Sequence, residues 1–305
     1  MLAYGLKRLG VAVLVVWVVS VLTFAFTNVA VDPARTIAGE GASDRDVEIV
    51  RQQYGFDRPL HVQYLDWLGG SVSGNLGQSY RQHRPVVAVL AEAFPVTITL
   101  GTLALALALA VAVPLGVLAA LYENSWIDRV AQALSVIGMA MPTFWFGLLM
   151  ILLFGVQLRW LPVSGTGSLA NYVMPATALA YYSIPIVMRL TRAGMIDVLA
   201  ADFIRTARAK GLLPAKILFK HALRNAMIPV VAVSAVQFGY LLSGSVVVES
   251  VFALHGVGFL AWQAINAADL PIVQAIVLVL SVAYVGLVFL ADMLNALLDP
   301  RIRLA

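Results

Sequence analysis

Six stretches of this chain are each apolar for about twenty residues or more, and that property decides what it can fold into. A helix crossing the ~30 Å hydrocarbon core of a bilayer needs about 20 such residues, and in lipid the backbone must satisfy its own hydrogen bonds. The windows are 9–31, 96–121, 130–158, 173–191, 228–253 and 272–298. They predict an all-α, polytopic helical membrane protein with six transmembrane helices. The second window contains Leu and Ala in alternation, yet its length and lack of turn residues favour a helix over a strand. The third holds Gly138 and Pro142, which predict a kink. The fourth is short and interrupted by Pro185. The first follows Lys7 and Arg8 and is too long for the apolar core of a cleaved leader, so it reads as a span.

Composition agrees with the windows. Of 305 residues, 61% are hydrophobic and 12% charged, against about 25% charged in an average soluble domain. The absence of cysteine excludes disulfides, thiolate metal sites and cysteine nucleophiles. A net charge of +4 is small, and the basic residues follow topology, so no nucleic-acid partner is expected.

An even number of spans puts both termini on one side. If that side is the cytoplasm, thirteen of the twenty Lys and Arg residues are inside. They are Lys7 and Arg8, Arg129, the cluster from Arg189 to Arg224, and Arg301 with Arg303. Six of the other seven lie in the long segment 32–95, where the positive-inside rule is weak, and the last is Arg159. Both termini are therefore expected in the cytoplasm. The chain divides into an N-terminal region and first span (1–31), a polar extracytoplasmic segment (32–95) with short helices over 44–54 and 60–72, and a transmembrane core (96–305). The core carries a cytoplasmic loop, 192–227.

That loop holds the most information. Helix formers run from Gly194 to Lys210, and Gly211 is placed to cap them. Pro214 then suits the first turn of a second helix. Phe203, Ala207, Ile217, Leu218 and Phe219 give an apolar side, with Arg205, Arg208, Lys216, Lys220 and Arg224 on the other. A helix–turn–helix element beneath the membrane is expected. Its charge alone equally suits binding to anionic lipid headgroups; the capping glycine and the apolar side call for a protein groove.

The stretches RTARAKGL (Arg205–Leu212) and HALRNAMIPV (His221–Val230) resemble the EAA loop of ABC importer permeases, in the form of the dipeptide, oligopeptide and nickel branch. Further likenesses cover nearly the whole chain. They include KRLG at Lys7–Gly10, LTFAF at Leu22–Phe26, Asp32-Pro33, GNLGQSY at Gly74–Tyr80 and PLGVLAA at Pro114–Ala120. MPTFW at Met141–Trp145, LPVSG at Leu161–Gly165, VMRLTR at Val187–Arg192 and DPRIR at Asp299–Arg303 continue the series. Departures exist. The generic EAA triplet is Arg205-Thr206-Ala207, the generic Leu-Pro is Leu223-Arg224, and His255-Gly256 stands where the family has Pro-Gly. The outer loop 159–172 is short.

The resemblance implies an ABC type I importer permease-like fold in a bacterial or archaeal plasma membrane. It implies a translocation path for short peptides delivered by an extracytoplasmic solute-binding protein, with nickel or another small solute as the alternative cargo. A second homologous permease, making a probable heterodimer, and two ABC ATPase subunits complete the complex. Asp202, Arg205, Thr206, Ala207, Arg208, Lys210, Gly211, His221 and Arg224 are the residues it assigns to ATPase coupling. ATP and Mg would sit on the partner ATPases, and this chain would carry no cofactor and no metal.

The chain's own chemistry agrees with a non-enzyme. No Gly-Lys dipeptide exists, so there is no Walker A loop, and neither HExxH nor GxSxG occurs. Gly165–Ala170 fits a dinucleotide fingerprint only formally, in a short loop with no preceding strand. His61, His83, His221 and His255 are dispersed. An ion-coupled secondary transporter, the reading from another class, needs intramembrane ionisable groups or broken helices, and the former are scarce here.

Gly239 and Ser243 put small residues at i and i+4, for which helix packing outweighs a path role. Tyr240, Ser243, Ser245, Glu249 and His255 are the candidates for the path or gate. For Glu249 a structural ion pair at the interface is the weightier expectation. Trp145, Trp160 and Tyr182 read as interfacial or packing aromatics.

Overall fold

In the computed structural model, residues 2–39 and 41–298 are described, and the DPRIR motif lies outside them. Their twelve helices run in chain order. α1 (Leu2–Ala30) leads into α2 (Pro33–Ala38), α3 (Asp44–Gln53) and α4 (Leu60–Val72). α5 (Val86–Leu121), α6 (Trp126–Ala140), α7 (Thr143–Gln157) and α8 (Ala170–Ala200) follow. α9 (Asp202–Ala209), α10 (Pro214–Val251), α11 (Val257–Asn266) and α12 (Leu270–Leu298) complete the fold.

Five of these helices are long and apolar enough to cross a membrane, and α6 with α7 makes a sixth span if the bent pair is counted as one. The expected kink is a full break: the two helices meet at 99°. Pro142 cannot donate a helical hydrogen bond, and it forces Met141 into extended geometry (φ −89°, ψ 131°), so the helix ends before it.

The least apolar span, α8, is the most enclosed, with over half of its window buried in protein. A helix surrounded by other helices does not need a lipid-facing apolar surface, and Pro175 and Pro185 are both accommodated within it. Its principal neighbour is α5. The Leu-Ala stretch of α5 turns one residue in four toward the protein: Leu100, Ala104, Ala108 and Ala112 are fully buried. Gly116 continues that row, and a Cβ there would lie 2.7 Å from the carbonyl oxygen of Met188. The small side chains let the two backbones approach and pack by van der Waals contact, which substitutes for a hydrophobic drive inside lipid.

α1 leans on α12, tied by an Arg8–Asp292 ion pair at 3.1 Å. It is pinned to α4 by Phe24 against Tyr64 and Trp67, and by Ser20 Oγ and Tyr64 hydroxyl at 2.9 Å. Helices α3 and α4 lie where the short helices were expected.

The loop 192–227 departs from expectation. The helix from Gly194 does not reach Lys210, because α8 ends at Ala200 and extended Ala201 (ψ 149°) separates it from α9. Pro214 does not open a separate helix; it starts α10, which passes through a π-helical stretch at Ile217–Leu223 and continues as the fifth span. Phe203 and Phe219 are exposed, not part of the buried side. The buried positions are Ile204, Ala207, Ile217 and Ala222.

Candidate functional site

At the Leu121 end of α5 the chain builds a short knob. Its core is Ala120, Met195, Ile204, Ala207, Ile217 and Ala226, drawn from α5, α8, α9 and α10. α9 starts with Asp202, whose carboxylate accepts from Arg205 Nη1 at 3.3 Å and whose carbonyl accepts from Thr206 Oγ1 at 3.0 Å. The helix closes in a Schellman motif. Gly211 N–H donates to Arg208 O (2.9 Å), Leu212 N–H donates to Ala207 O (3.3 Å), and Gly211 is left-handed at φ 72°. The turn reverses the chain into Pro214, so that α9 stands on its own apolar base.

What the knob shows outward is mixed. Phe203, Leu213 (72% exposed) and Phe219 (64% exposed) stand clear of the surface. Asp202, Arg205, Thr206, Arg208, Lys210 and Gly211 are exposed among them, while Ala207 is buried beneath. Lys220, His221, Arg224 and Asn225 line an adjoining cleft of about 370 Å³. Among the described residues, none of Arg208, Lys210, Lys216, Lys220 or Arg224 has an ion-pair partner. The nine residues assigned to coupling thus gather at one end of the molecule.

Beside the knob, Arg192 of α8 holds Asp128 of α6 with two hydrogen bonds of 2.7 Å each. Asp128 also accepts from Asn124 N–H and Gln132 Nε2. The sequence reading missed this lock; Ser125 three residues before Asp128, an N-capping pattern, was its only local signal.

The path candidates separate. Val236, Tyr240, Ser243, Val247 and Ser250 form an exposed stripe along α10 at helical spacing. Tyr240 stacks on Tyr182 of α8 with centroids 5.2 Å apart. Gly239, in contrast, is buried against the Tyr284 ring. Ser245 and Glu249 are fully buried on the opposite side. His255 is exposed in the following loop, edge-on to Phe259 at 5.1 Å. Trp145 and Trp160 are exposed, Trp160 lying 6.0 Å from Phe154. Glu249 corrects the ion-pair expectation: among the described residues its carboxylate meets no cation, and it accepts from Thr97 Oγ1 (2.7 Å) and Phe259 N–H (2.9 Å).

At the Val86 end, buried Asp269 collects the 79–81 turn. It accepts from Ser79 Oγ at 2.5 Å and from the Tyr80 and Arg81 N–H groups at 3.1 and 3.4 Å. Burial, Asp269 and then Tyr54 push the Tyr80 phenol up to about 12. Neither Thr97 nor Asp269 announced itself in the sequence, since the partners of each are far away in it. Among the described residues no group of His, Asp and Glu is placed to hold a metal ion.

Residues 112–304 match the family described as "Binding-protein-dependent transport system inner membrane component", and residues 1–101 match the N-terminal component of the same systems. The chain is 40% identical over 304 residues to the glutathione transport system permease protein GsiC of Escherichia coli (strain K12), covering 99% of both. It is 41% identical over 312 residues to a Brucella abortus (strain 2308) protein that carries the provisional name of a peptide transport system permease, again covering 99% of both. Among solved structures, the inward-facing MetNI methionine ABC transporter superposes with a TM-score of 0.57 at 20% identity, over 69% of this chain and 96% of that one. The fold is that of an ABC importer permease. The chain belongs to the inner-membrane components of binding-protein-dependent ABC transport systems.

Proposed function

We propose that this permease carries short peptides, pairs with a second homologous permease, and receives its drive through the α9 knob. The observation that carries the coupling role is the outward display of Phe203, Leu213 and Phe219 on a turn with a buried apolar cluster beneath it. Exposed aromatic and aliphatic side chains beside Arg208, Lys210, Lys216 and Lys220, which have no ion-pair partner among the described residues, fit an apolar groove with an acidic rim, as a cytoplasmic ATPase would offer. Asp202, Arg205, Thr206, Arg208, Lys210, Gly211, His221 and Arg224 then frame the contact, with Ala207 seating it. ATP binding must favour one conformer of the assembly by several kcal/mol to switch it.

Peptide cargo is supported by the relatives, one named for glutathione, itself a tripeptide, and one for peptides. The stripe from Val236 to Ser250 combines two valines with the hydroxyl groups of Tyr240, Ser243 and Ser250, a weakly polar lining that suits cargo selected elsewhere by a binding protein. Tyr240 and Ser243 lie on that stripe. Basic residues crowd the Leu121 end of α5, which supports a cytoplasmic knob and cytoplasmic termini.

The test is to purify the tagged chain from native membranes and to measure peptide uptake in a strain lacking it. An ABC ATPase and a second six-span permease are expected to copurify, and tripeptide uptake to be lost. Copurification of this chain and an ATPase with no other permease would overturn the heterodimer. Intact peptide uptake with lost nickel uptake would overturn the cargo. Because the chain has no cysteine, Arg208→Cys and Gln82→Cys report orientation directly. An impermeant thiol reagent added to intact cells should label Cys at 82 only, and labelling at 208 would reverse the topology.

A further inference from the structure

α11 has no side-chain cap of its own, because Gly256 occupies its N-cap position. The first and third amides of a helix are ordinarily left to water or to a local Ser, Thr or Asp. Here both are satisfied by other helices. Val257 N–H donates to Thr97 Oγ1 of α5 at 2.8 Å, and Phe259 N–H donates to Glu249 Oε2 of α10 at 2.9 Å. The Thr97 hydroxyl proton goes to Glu249 Oε1 at 2.7 Å, closing the set. Thr97 and Glu249 are both 0% exposed.

A fully buried carboxyl group needs hydrogen-bond partners, and Thr97 and the first turn of α11 supply them. Space at the joint is fully used. A Cβ on Gly256 would lie 2.5 Å from both Glu249 and Thr97 Oγ1, and one on Gly258 would lie 2.6 Å from the Val246 Cα. Behind the joint, Val86, Val89, Leu90 and Ala93 of α5 pack with Val257, Leu260 and Ala264 of α11 and Ile272 of α12. The far end of α11 is held as well, since Asp269 binds the 79–81 turn that feeds α5.

We infer that Glu249 is a positioning residue, acting through Thr97, that fastens α11 to α5 and α10 so that the Val86 end of the permease moves as one block during transport. A hinge between α11 and the spans would strip a buried carboxylate of both its donors, so the molecule bends elsewhere. That role sets Glu249 apart from the exposed stripe of Tyr240, Ser243, Val247 and Ser250 on the same helix. The inference uses the family assignment only for the existence of two transport states.

The test is a spin-label distance in the assembled importer with its partner subunits. Labels go on Val87→Cys of α5 and Gln263→Cys of α11, both exposed positions in a chain free of cysteine. The pair is measured without nucleotide and after trapping with ATP and vanadate, and trapped ADP independently reports that the assembly has switched. One narrow distance, the same in both states, is expected. In Glu249→Gln or Thr97→Val the distribution should broaden, with Thr97→Ser restoring it. A wild-type distance that shifts between the two states overturns the rigid block, whatever the variants do. Unchanged distributions in Glu249→Gln and Thr97→Val overturn the role of Glu249. Absence of trapped ADP with the distance unchanged would count against the ATP-driven reading instead.

Discussion

Arg192 and Asp128 face each other in a fork, Nε to Oδ1 and Nη2 to Oδ2, both at 2.7 Å, and join the end of α8 to the first turn of α6. Asp128 is only 2% exposed and Arg192 21%. Removing one partner from such a pair leaves an uncompensated buried charge, a cost of about 3–5 kcal/mol. Asp128→Ala should therefore lower the melting temperature of the purified complex sharply, and Arg192→Ala should do much the same. The double variant should be far less destabilised than the sum of the two. Arg192→Lys, which keeps charge but loses the fork, should not restore the wild-type value. Additive melting shifts in this cycle would show that the pair carries no coupling.

The fold was legible where the signal was local or set by bilayer thickness. Apolar length located the spans, and Pro142 located the break. Ends were less legible. α5 starts at Val86, ten residues before its apolar window, because Glu92 is paired with Arg84 and tolerated on the helix surface. Gly211 was legible as a cap because a Schellman turn is written in adjacent residues. Glu249 was visible as a lone acid, but its surroundings were not, because Thr97 is 152 positions away. The same holds for Asp128 and Arg192, 64 positions apart. Phe203 and Phe219 were legible as apolar, but not that they stand outside while Ala207 and Ile217 turn inward, because that split depends on how α9 and α10 pack on α5 and α8.

Gly211 separates backbone strain from crowding. Its φ is 72°, and a Cβ there would meet no atom within 4 Å. A substitution therefore acts through conformation alone, and left-handed geometry costs an L-residue roughly 1–2 kcal/mol. Gly211→Val should leave the chain inserted while uptake falls and ATP hydrolysis loses its dependence on the binding protein. Gly211→Asn, which tolerates this geometry, should retain most of the uptake. Equal uptake by the valine variant and wild type would remove the turn from the coupling mechanism.

Tyr80 gives a pH dependence whose sign is fixed. Its phenol ionises at about 12 in the fold, against about 10 in the unfolded chain, because burial and Asp269 disfavour the phenolate. Between those values the folded state binds more protons, so stability falls as pH rises. The contribution is intact below about pH 10 and is lost progressively toward pH 12. Melting curves of the purified complex between pH 9 and about 11.5 should show a decline that Tyr80→Phe makes shallower, as phenylalanine has nothing to ionise. Parallel curves for the two proteins would mean that Tyr80 titrates normally.

Gly116 tests whether the α5–α8 seam depends on close backbone approach. An added Cβ would sit 2.7 Å from Met188 O and 2.7 Å from Thr191 Cβ, and the first of these is main chain that no rotamer change can move. Overpacking a tight contact costs typically about 1–3 kcal/mol. Gly286 of α12 is the internal control, since a Cβ there meets nothing within 4 Å. In an exposed helical position, alanine in place of glycine gains up to about 1 kcal/mol through propensity. Gly116→Ala should thus lower the melting temperature while Gly286→Ala leaves it level or raises it, although both are the same chemical change in a spanning helix. If Gly116→Ala were as stable as Gly286→Ala, the two helices would have room to separate, and small-residue packing would not be what holds α8 inside the bundle.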